Sequence, residues 1–64
     1  MRLDQVLGRS CPTPVGVDGI VVDYAEREDH LVESLTLKLP RDVNGHEFMI
    51  YDIWNNEFTL HRVQ

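Results

Sequence analysis

The sequence predicts a mainly β fold, an antiparallel meander of four to five short strands that curls into a small barrel. Apolar and polar residues alternate with a period of two across Leu31–Leu39, with interruptions at Val32 and Glu33. Runs rich in β-branched and aromatic residues begin at Ile20 and at Phe48. Turn signals separate these runs, and the clearest is Asn44-Gly45. Strands joined by such short turns pair antiparallel.

Length and composition favour one small domain. The chain has 64 residues, of which 42% are hydrophobic and 27% charged, which is ordinary globular composition. We expect a single domain over residues 1–64, with a turn or arm over 1–16 and the β meander over 17–64. No run approaches the ~20 apolar residues of a membrane span, and no signal peptide is apparent. With Cys11 alone no intrachain disulfide can form, so we expect a cytoplasmic protein.

The N-terminal residues suggest a short helix followed by an arm. Leu3, Val6 and Leu7 have helical spacing, which suits one or two turns ended by Gly8, although an irregular strand is the alternative. Residues 8–19 are rich in glycine and proline, which favours a loop or an extended arm.

Four strands are expected after this arm. A charged turn over 26–29 separates the first two, and Asn55-Asn56 is a two-residue turn between the last two. Pro40 ends the second strand. The expected strands, in order, are Ile20–Tyr24, Leu31–Leu39, Phe48–Trp54 and Phe58–Val63.

The turns also predict a register. A two-residue turn at 55–56 places Ile53 opposite Phe58. It also places Tyr51 opposite Leu60, so that one face of this hairpin is a good core. A tight turn at 44–45 would put the leucines of the second strand on the other face. A one-residue shift, by a bulge or a longer loop over 40–47, restores a common core. We therefore expect three leucines beside three residues of the third strand: Leu35, Leu37 and Leu39 beside Ile53, Tyr51 and Met49.

This register leaves apolar residues on the face away from the core. A strongly bent sheet can cover part of that face with the N-terminal segment. Such an arrangement resembles small SH3-like or Sm-like barrels in architecture alone. The expected partner-binding residues on this face are Phe48, Ile50, Asp52, Trp54, His61 and Val63. Tryptophan is frequent in binding hot spots, and large apolar patches are unusual on a free monomer. The alternative is that this set forms the second wall of a barrel core.

Asp52 is unusual because it lies within the most apolar strand. One interpretation is a carboxylate inside a binding patch. The other is a charge that prevents edge-to-edge pairing, or a cross-strand partner for Arg62 or Lys38.

Signals for catalysis, metals and cofactors are lacking. Cys11 and the three histidines His30, His46 and His61 include no close pair of the kind that starts a zinc site. The glycines match neither a phosphate-binding loop nor a dinucleotide fingerprint. Domains of this size rarely enclose a substrate pocket. We expect a non-catalytic protein with no metal and no cofactor.

The net charge of −5 disfavours direct nucleic-acid binding. It can instead attract a basic protein, including one that itself binds nucleic acid. We therefore expect a small acidic protein-binding module that docks on a larger protein as a regulator, inhibitor or adaptor. Compact acidic domains of this kind are common among phage-encoded inhibitors of host machinery.

Two other functions stay open. The first is a self-assembling small-barrel subunit, a homo-oligomer that pairs through Glu57–Val63 or Ile20–Tyr24. The second is a nucleic-acid-binding barrel that uses aromatic and basic side chains, namely Phe48, Tyr51, Trp54 and Arg62.

Overall fold

The fold is mainly β, as the sequence predicts. The computed structural model describes residues 5–61 and shows one antiparallel sheet whose strand order follows the chain. The described residues contain no α-helix, and hence no helix long and apolar enough to cross a membrane. The strands are β1 (Ser10–Pro12), β2 (Asp18–Glu26), β3 (Val32–Val43), β4 (His46–Asp52) and β5 (Glu57–His61).

The sheet is an open meander within residues 5–61. Each strand pairs with its neighbour in sequence, and β1 and β5 form the two edges. The predicted closure of a barrel is not seen between these strands. A physical reason lies in β1, which has three residues and ends in Pro12. Proline has no N–H to donate, so β1 offers a poor edge for closure.

The predicted N-terminal helix is not seen in residues 5–9, and Leu3 lies outside the described part of the chain. Residues 5–8 form a single turn instead. The Gly8 amide donates to the Val21 carbonyl at 2.8 Å, and the Val21 amide donates to the Arg9 carbonyl at 2.9 Å. These two hydrogen bonds hold residues 8–9 against β2, and the pairing with β2 continues in β1. The prediction of a loop over 8–19 missed β1, in which Cys11 pairs with Gly19.

The core lies on one face of the sheet, called here the inner face. Three buried side chains form a row across the strands: Val21 lies opposite Leu37, Leu37 opposite Met49, and Met49 opposite the half-buried Leu60. Leu39 on β3 is buried with them, as predicted. The N-terminal arm covers this row. Partly buried residues packed against the core include Val6, Cys11, Val15, Val17, Leu35, Val43, Tyr51, Phe58 and Leu60. The predicted core face of the last three strands is therefore confirmed except at Ile53, which is exposed.

The predicted register between β3 and β4 is wrong by two residues. Leu35 pairs with Tyr51 and Leu37 with Met49, not with Ile53 and Tyr51. The expected irregularity exists, as a register shift between Lys38 and Val43. It is larger than one residue and lets β3 continue past Pro40. A register error of two residues does not change the face on which a side chain lies. The predicted faces of β3 and β4 are therefore correct although the predicted pairing is not.

The two hairpin turns differ from each other. Asn44-Gly45 is a two-residue turn in which Val43 pairs with His46, and its φ angles of 51° and 79° fit a type I′ turn. The predicted two-residue turn at Asn55-Asn56 is wrong, because Asp52 pairs with Glu57 and four residues form the turn. Consequently Ile53 leaves the core and is 38% exposed.

Gly19 allows β2 to approach β3 closely. A Cβ atom at this position would lie 2.8 Å from the Cβ of Leu37, closer than real Cβ contacts occur. Leu37 is fully buried, so it has little room to move. We predict that Gly19→Ala lowers the free energy of unfolding by about 1–3 kcal/mol, the usual range for overpacking. Urea denaturation measures this loss.

The control for this prediction is Ser10→Ala on the neighbouring strand. Ser10 is exposed, so its substitution should change the free energy of unfolding by less than about 0.5 kcal/mol. Equal stability of Gly19→Ala and the unsubstituted protein would show that β2 and β3 do not approach as described.

Candidate functional site

The face opposite the core, called here the outer face, carries three rows of side chains. In the first row Ile20, Lys38, Phe48 and His61 lie side by side from β2 to β5. The second contains Asp23, Thr36, Ile50 and Thr59, and the third Ala25, Ser34, Asp52 and Glu57. Residues directly opposite in an antiparallel pair point to the same side. Three of the predicted site residues therefore share one face along β4.

Four apolar side chains form what we call the outer patch: Ile20, Val22, Phe48 and Ile50. Strand pairing places Ile20, Phe48 and Ile50 on the outer face, and the exposed Val22 lies at a register shift of β2 between Val21 and Asp23. Ile20 and Val22 on β2 are 42% and 45% exposed. Phe48 and Ile50 on β4 are half-buried. The polar β3 residues Thr36 and Lys38 lie between the two strands, and the aliphatic stem of a lysine can itself cover apolar surface. Apolar groups within a polar frame are typical of protein-binding surfaces.

Asp52 organises the turn that follows β4. Its Oδ1 accepts hydrogen bonds from the Trp54 amide at 3.0 Å and the Asn55 amide at 3.2 Å. Its Oδ2 accepts from the Asn55 side-chain nitrogen at 2.9 Å. The side-chain and backbone bonds from Asn55, with that from Trp54, lower the pKa of the Asp52 carboxyl. Ionised Asp52 thus has a structural role of its own, similar to the aspartates of Asx turns.

Trp54 lies in the four-residue turn and not on β4. The strand ends at Asp52, so the predicted extension to Trp54 is wrong and its side chain does not continue the alternation. The indole is 54% exposed. The guanidinium carbon of Arg27, from the β2–β3 turn, lies 4.6 Å from the centroid of the indole ring, a cation–π contact. This contact joins the two turns at one end of the sheet.

The structure brings together part of the predicted site. Phe48, Ile50 and Asp52 follow one another on the outer face, and His61 lies directly opposite Phe48. Trp54 is separated from this row by its place in the turn, and Val63 lies outside the described residues. The sequence reasoning missed two further residues, Ile20 and Val22, although the β-branched run of β2 could have indicated them. It named Lys38 only as a possible cross-strand partner of Asp52, whereas Lys38 lies opposite Phe48 and Asp52 lies opposite Ser34.

The residues that the structure describes offer few other groups for metal binding or catalysis. Across residues 5–61, no three His, Cys, Asp or Glu side chains converge as a metal site needs. Burial, followed by the charge of Asp18, raises the pKa of the Cys11 thiol, which disfavours the thiolate that a nucleophile requires. The Nδ1 atom of His46 is buried without a hydrogen-bond partner among the described residues.

An open cleft lies beside the β2–β3 turn. It has a volume of about 490 Å³ and is lined by Glu26, Arg27, Glu28, Asp29 and Glu33. Arg27 makes two contacts: its Nε lies 3.8 Å from Oδ1 of Asp29, and its guanidinium group makes the cation–π contact with Trp54. The cleft is thus predominantly acidic, which adds negative potential to this end of the sheet.

Comparison with known proteins gives no relative for the chain. No family model, no curated protein and no solved structure matches it.

The Asp52 carboxylate should make stability depend on pH. A lowered pKa in the folded state means that its stabilisation is present above the ordinary carboxyl pKa of about 3.9. That stabilisation is lost as the pH falls through the folded-state pKa. We predict that Asp52→Asn unfolds at lower urea concentration than the unsubstituted protein at pH 7, and that this difference narrows in acid.

Asp42→Asn is a matched control, because it removes one negative charge from an exposed position on β3. The comparison separates the loss of the hydrogen bonds in the turn from the change in net charge, as causes of a change in stability. If the difference caused by Asp52→Asn stays constant from pH 7 into acid, the hydrogen bonds to the carboxylate do not stabilise the turn.

Proposed function

We propose that this protein is a non-catalytic protein-binding module that docks on a larger protein through the outer patch. The observation that carries the proposal is the exposure of Ile20 and Val22 on β2 together with the half-buried Phe48 and Ile50 on β4. The β3 residues Thr36 and Lys38 lie between these two apolar pairs. Burying apolar area of this kind is the main favourable term in most protein associations. Such a module would act as a regulator, inhibitor or adaptor of its partner.

The placement of the N-terminal arm supports this proposal over a second core wall. In a closed barrel the arm would have to cover the outer face. Here Val6, Val15 and Val17 pack against the inner core cluster, while Leu7 stays exposed. The described part of the N-terminal arm, from residue 5 onward, thus packs on the inner face, while Ile20 and Val22 of the outer patch are exposed.

The surroundings of the patch suggest the chemistry of the partner. Lys38 and His61 flank Phe48 in the first row, whereas Asp52 and Glu57 end the third row. The acidic cleft lies at the β2–β3 turn, and the whole chain carries a net charge of −5. A complementary partner would present an apolar centre with basic residues toward the acidic end. Charge complementarity of this type favours fast association and correct orientation.

Substitution of Ile50 tests the proposal. Ile50→Thr keeps a β-branched side chain in the strand but removes apolar area from the β4 part of the outer patch. We expect tagged Ile50→Thr protein to lose the stoichiometric partner that the unsubstituted protein captures from source-cell lysate. Far-UV circular dichroism and urea denaturation establish that the variant is folded.

Leu31→Thr is the matched control, since Leu31 is 50% exposed but lies outside the outer patch, beside the β2–β3 turn. It should retain the partner. Equal capture by folded Ile50→Thr and by the unsubstituted protein would contradict the proposal. Capture that is lost on nuclease treatment would favour nucleic-acid binding instead.

A further inference from the structure

The two edges of the sheet differ in how well they are protected. The β1 edge is three residues long and contains Pro12, and both features discourage pairing with another strand. The β5 edge, Glu57–His61, has five residues without proline or lysine. Its pairing with β4 is regular, without a bulge. Very short edges, charged side chains, prolines and bulges are the usual protections of an edge strand. The described part of β5 has only one of them, the charged Glu57 at its first position.

We propose that β5 pairs with β5 of a second copy of this chain, antiparallel and centred on Thr59. This interaction goes beyond the proposed function, because it uses the edge of the sheet and not the outer patch. Each copy would satisfy the outward N–H and C=O groups of the other, with about four to six backbone hydrogen bonds. The twofold axis makes the contact isologous and closed, as in most homodimers.

The sequence of β5 is self-complementary in this register. Thr59 lies opposite Thr59 of the second copy, and Thr–Thr is a favourable cross-strand pair. Each Phe58 lies opposite a Leu60, an aromatic–aliphatic pair on the inner face. Both of these residues are only half-buried in one copy and pack against its core, so the contact would extend the two cores into each other.

The charged ends of the strand also match. On the outer face, Glu57 of one copy lies opposite His61 of the other, and the reverse pair follows by symmetry. Opposite charges, or a carboxylate with an imidazole N–H, stabilise directly opposed positions. Parallel pairing of the same strands would instead place Glu57 opposite Glu57. Charge therefore favours the antiparallel arrangement.

The dimer has a defined geometry. Two five-stranded sheets join into one of ten strands. Because directly opposed residues point to the same side, the two outer patches would share one side of the joined sheet.

Sedimentation velocity of the full-length chain across a wide range of concentration tests this proposal. We expect a reversible monomer–dimer equilibrium. Thr59→Lys places two ammonium groups at the twofold axis and should weaken the dimer about tenfold or more. Thr59 is exposed on the outer face, so the variant should still fold. Ala25→Lys is the matched control, because it adds the same charge at an exposed position of the internal strand β2.

A charge exchange tests the register itself. His61→Glu puts two carboxylates opposite each other at both ends and should weaken the dimer about tenfold. Adding Glu57→Lys restores opposite charges in the antiparallel register and should recover most of the affinity. Glu57→Lys also removes a like-charge pair, since Glu57 lies opposite Asp52 within one chain, so the double variant should fold.

The outcomes are distinct. A protein that stays monomeric at every concentration overturns the proposal. A dimer that Thr59→Lys leaves unchanged shows an interface elsewhere. A dimer weakened by His61→Glu and not recovered in the double variant overturns the Thr59-centred antiparallel register. These results do not depend on capture of a partner by the outer patch, so the two proposals can fail separately.

Discussion

The structure depends on one row of apolar contacts across four strands. Val21, Leu37, Met49 and Leu60 lie side by side, with Leu37 and Met49 as the most deeply buried side chains of residues 5–61. A slip of one residue in any strand would turn its apolar side chains to the other face. The row therefore determines which face is buried. Gly19 belongs to the same constraint, because it leaves the space that Leu37 occupies.

Polar contacts hold the far end of the sheet, beyond the apolar row. Asp52 binds the backbone of its own turn, and the Tyr51 hydroxyl donates to the Asn56 side chain at 2.9 Å. The Tyr51 ring stacks on Phe58 with a centroid distance of 4.3 Å. The Ile53 amide donates to the Glu33 carbonyl at 3.1 Å, which ties this turn to β3. The end of β4 is therefore ordered by these polar contacts together with the Tyr51–Phe58 stack, and this explains how a carboxylate can follow an apolar strand.

The sequence predicts faces better than registers, for a physical reason. Alternation has a period of two, so it distinguishes the two faces but not shifts by two residues. The expected pairing of Leu37 with Tyr51 failed in this way, while both residues stayed on the inner face. The turn after β4 was harder to predict, because its length depends on how Asp52 and Asn55 bond to each other. The sequence did not predict β1 because Pro12 suggested a loop, whereas an edge strand tolerates proline. Pro40 likewise lies within β3, where the register shift between Lys38 and Val43 accommodates it.

For the candidate site, too, the sequence predicted which residues share a face but not the contacts between distant segments. Alternation placed Phe48, Ile50 and Asp52 on one face, as the structure does. It could not place Trp54, because the residue follows the end of the strand and contacts Arg27 from a turn distant in sequence. The predicted meander already made β2 a neighbour of β3, but the register between them, with its shift at Val22, could not be derived from alternation. Contacts between distant segments are the information that a local pattern lacks.

Once the inner face of a single sheet is covered, its outer face and its edges remain exposed. These two kinds of surface bind different kinds of partner. The outer patch offers apolar area, which another protein covers with side chains of its own. The β5 edge offers backbone donors and acceptors, which another strand satisfies best. Occupying the edge leaves Ile20 and Val22 uncovered, because β2 lies three strands away from β5. An edge-paired dimer would therefore present two outer patches to a partner at once. If the partner offers two matching sites, binding at the first raises the effective concentration at the second, so assembly strengthens docking without any new contact in the patch.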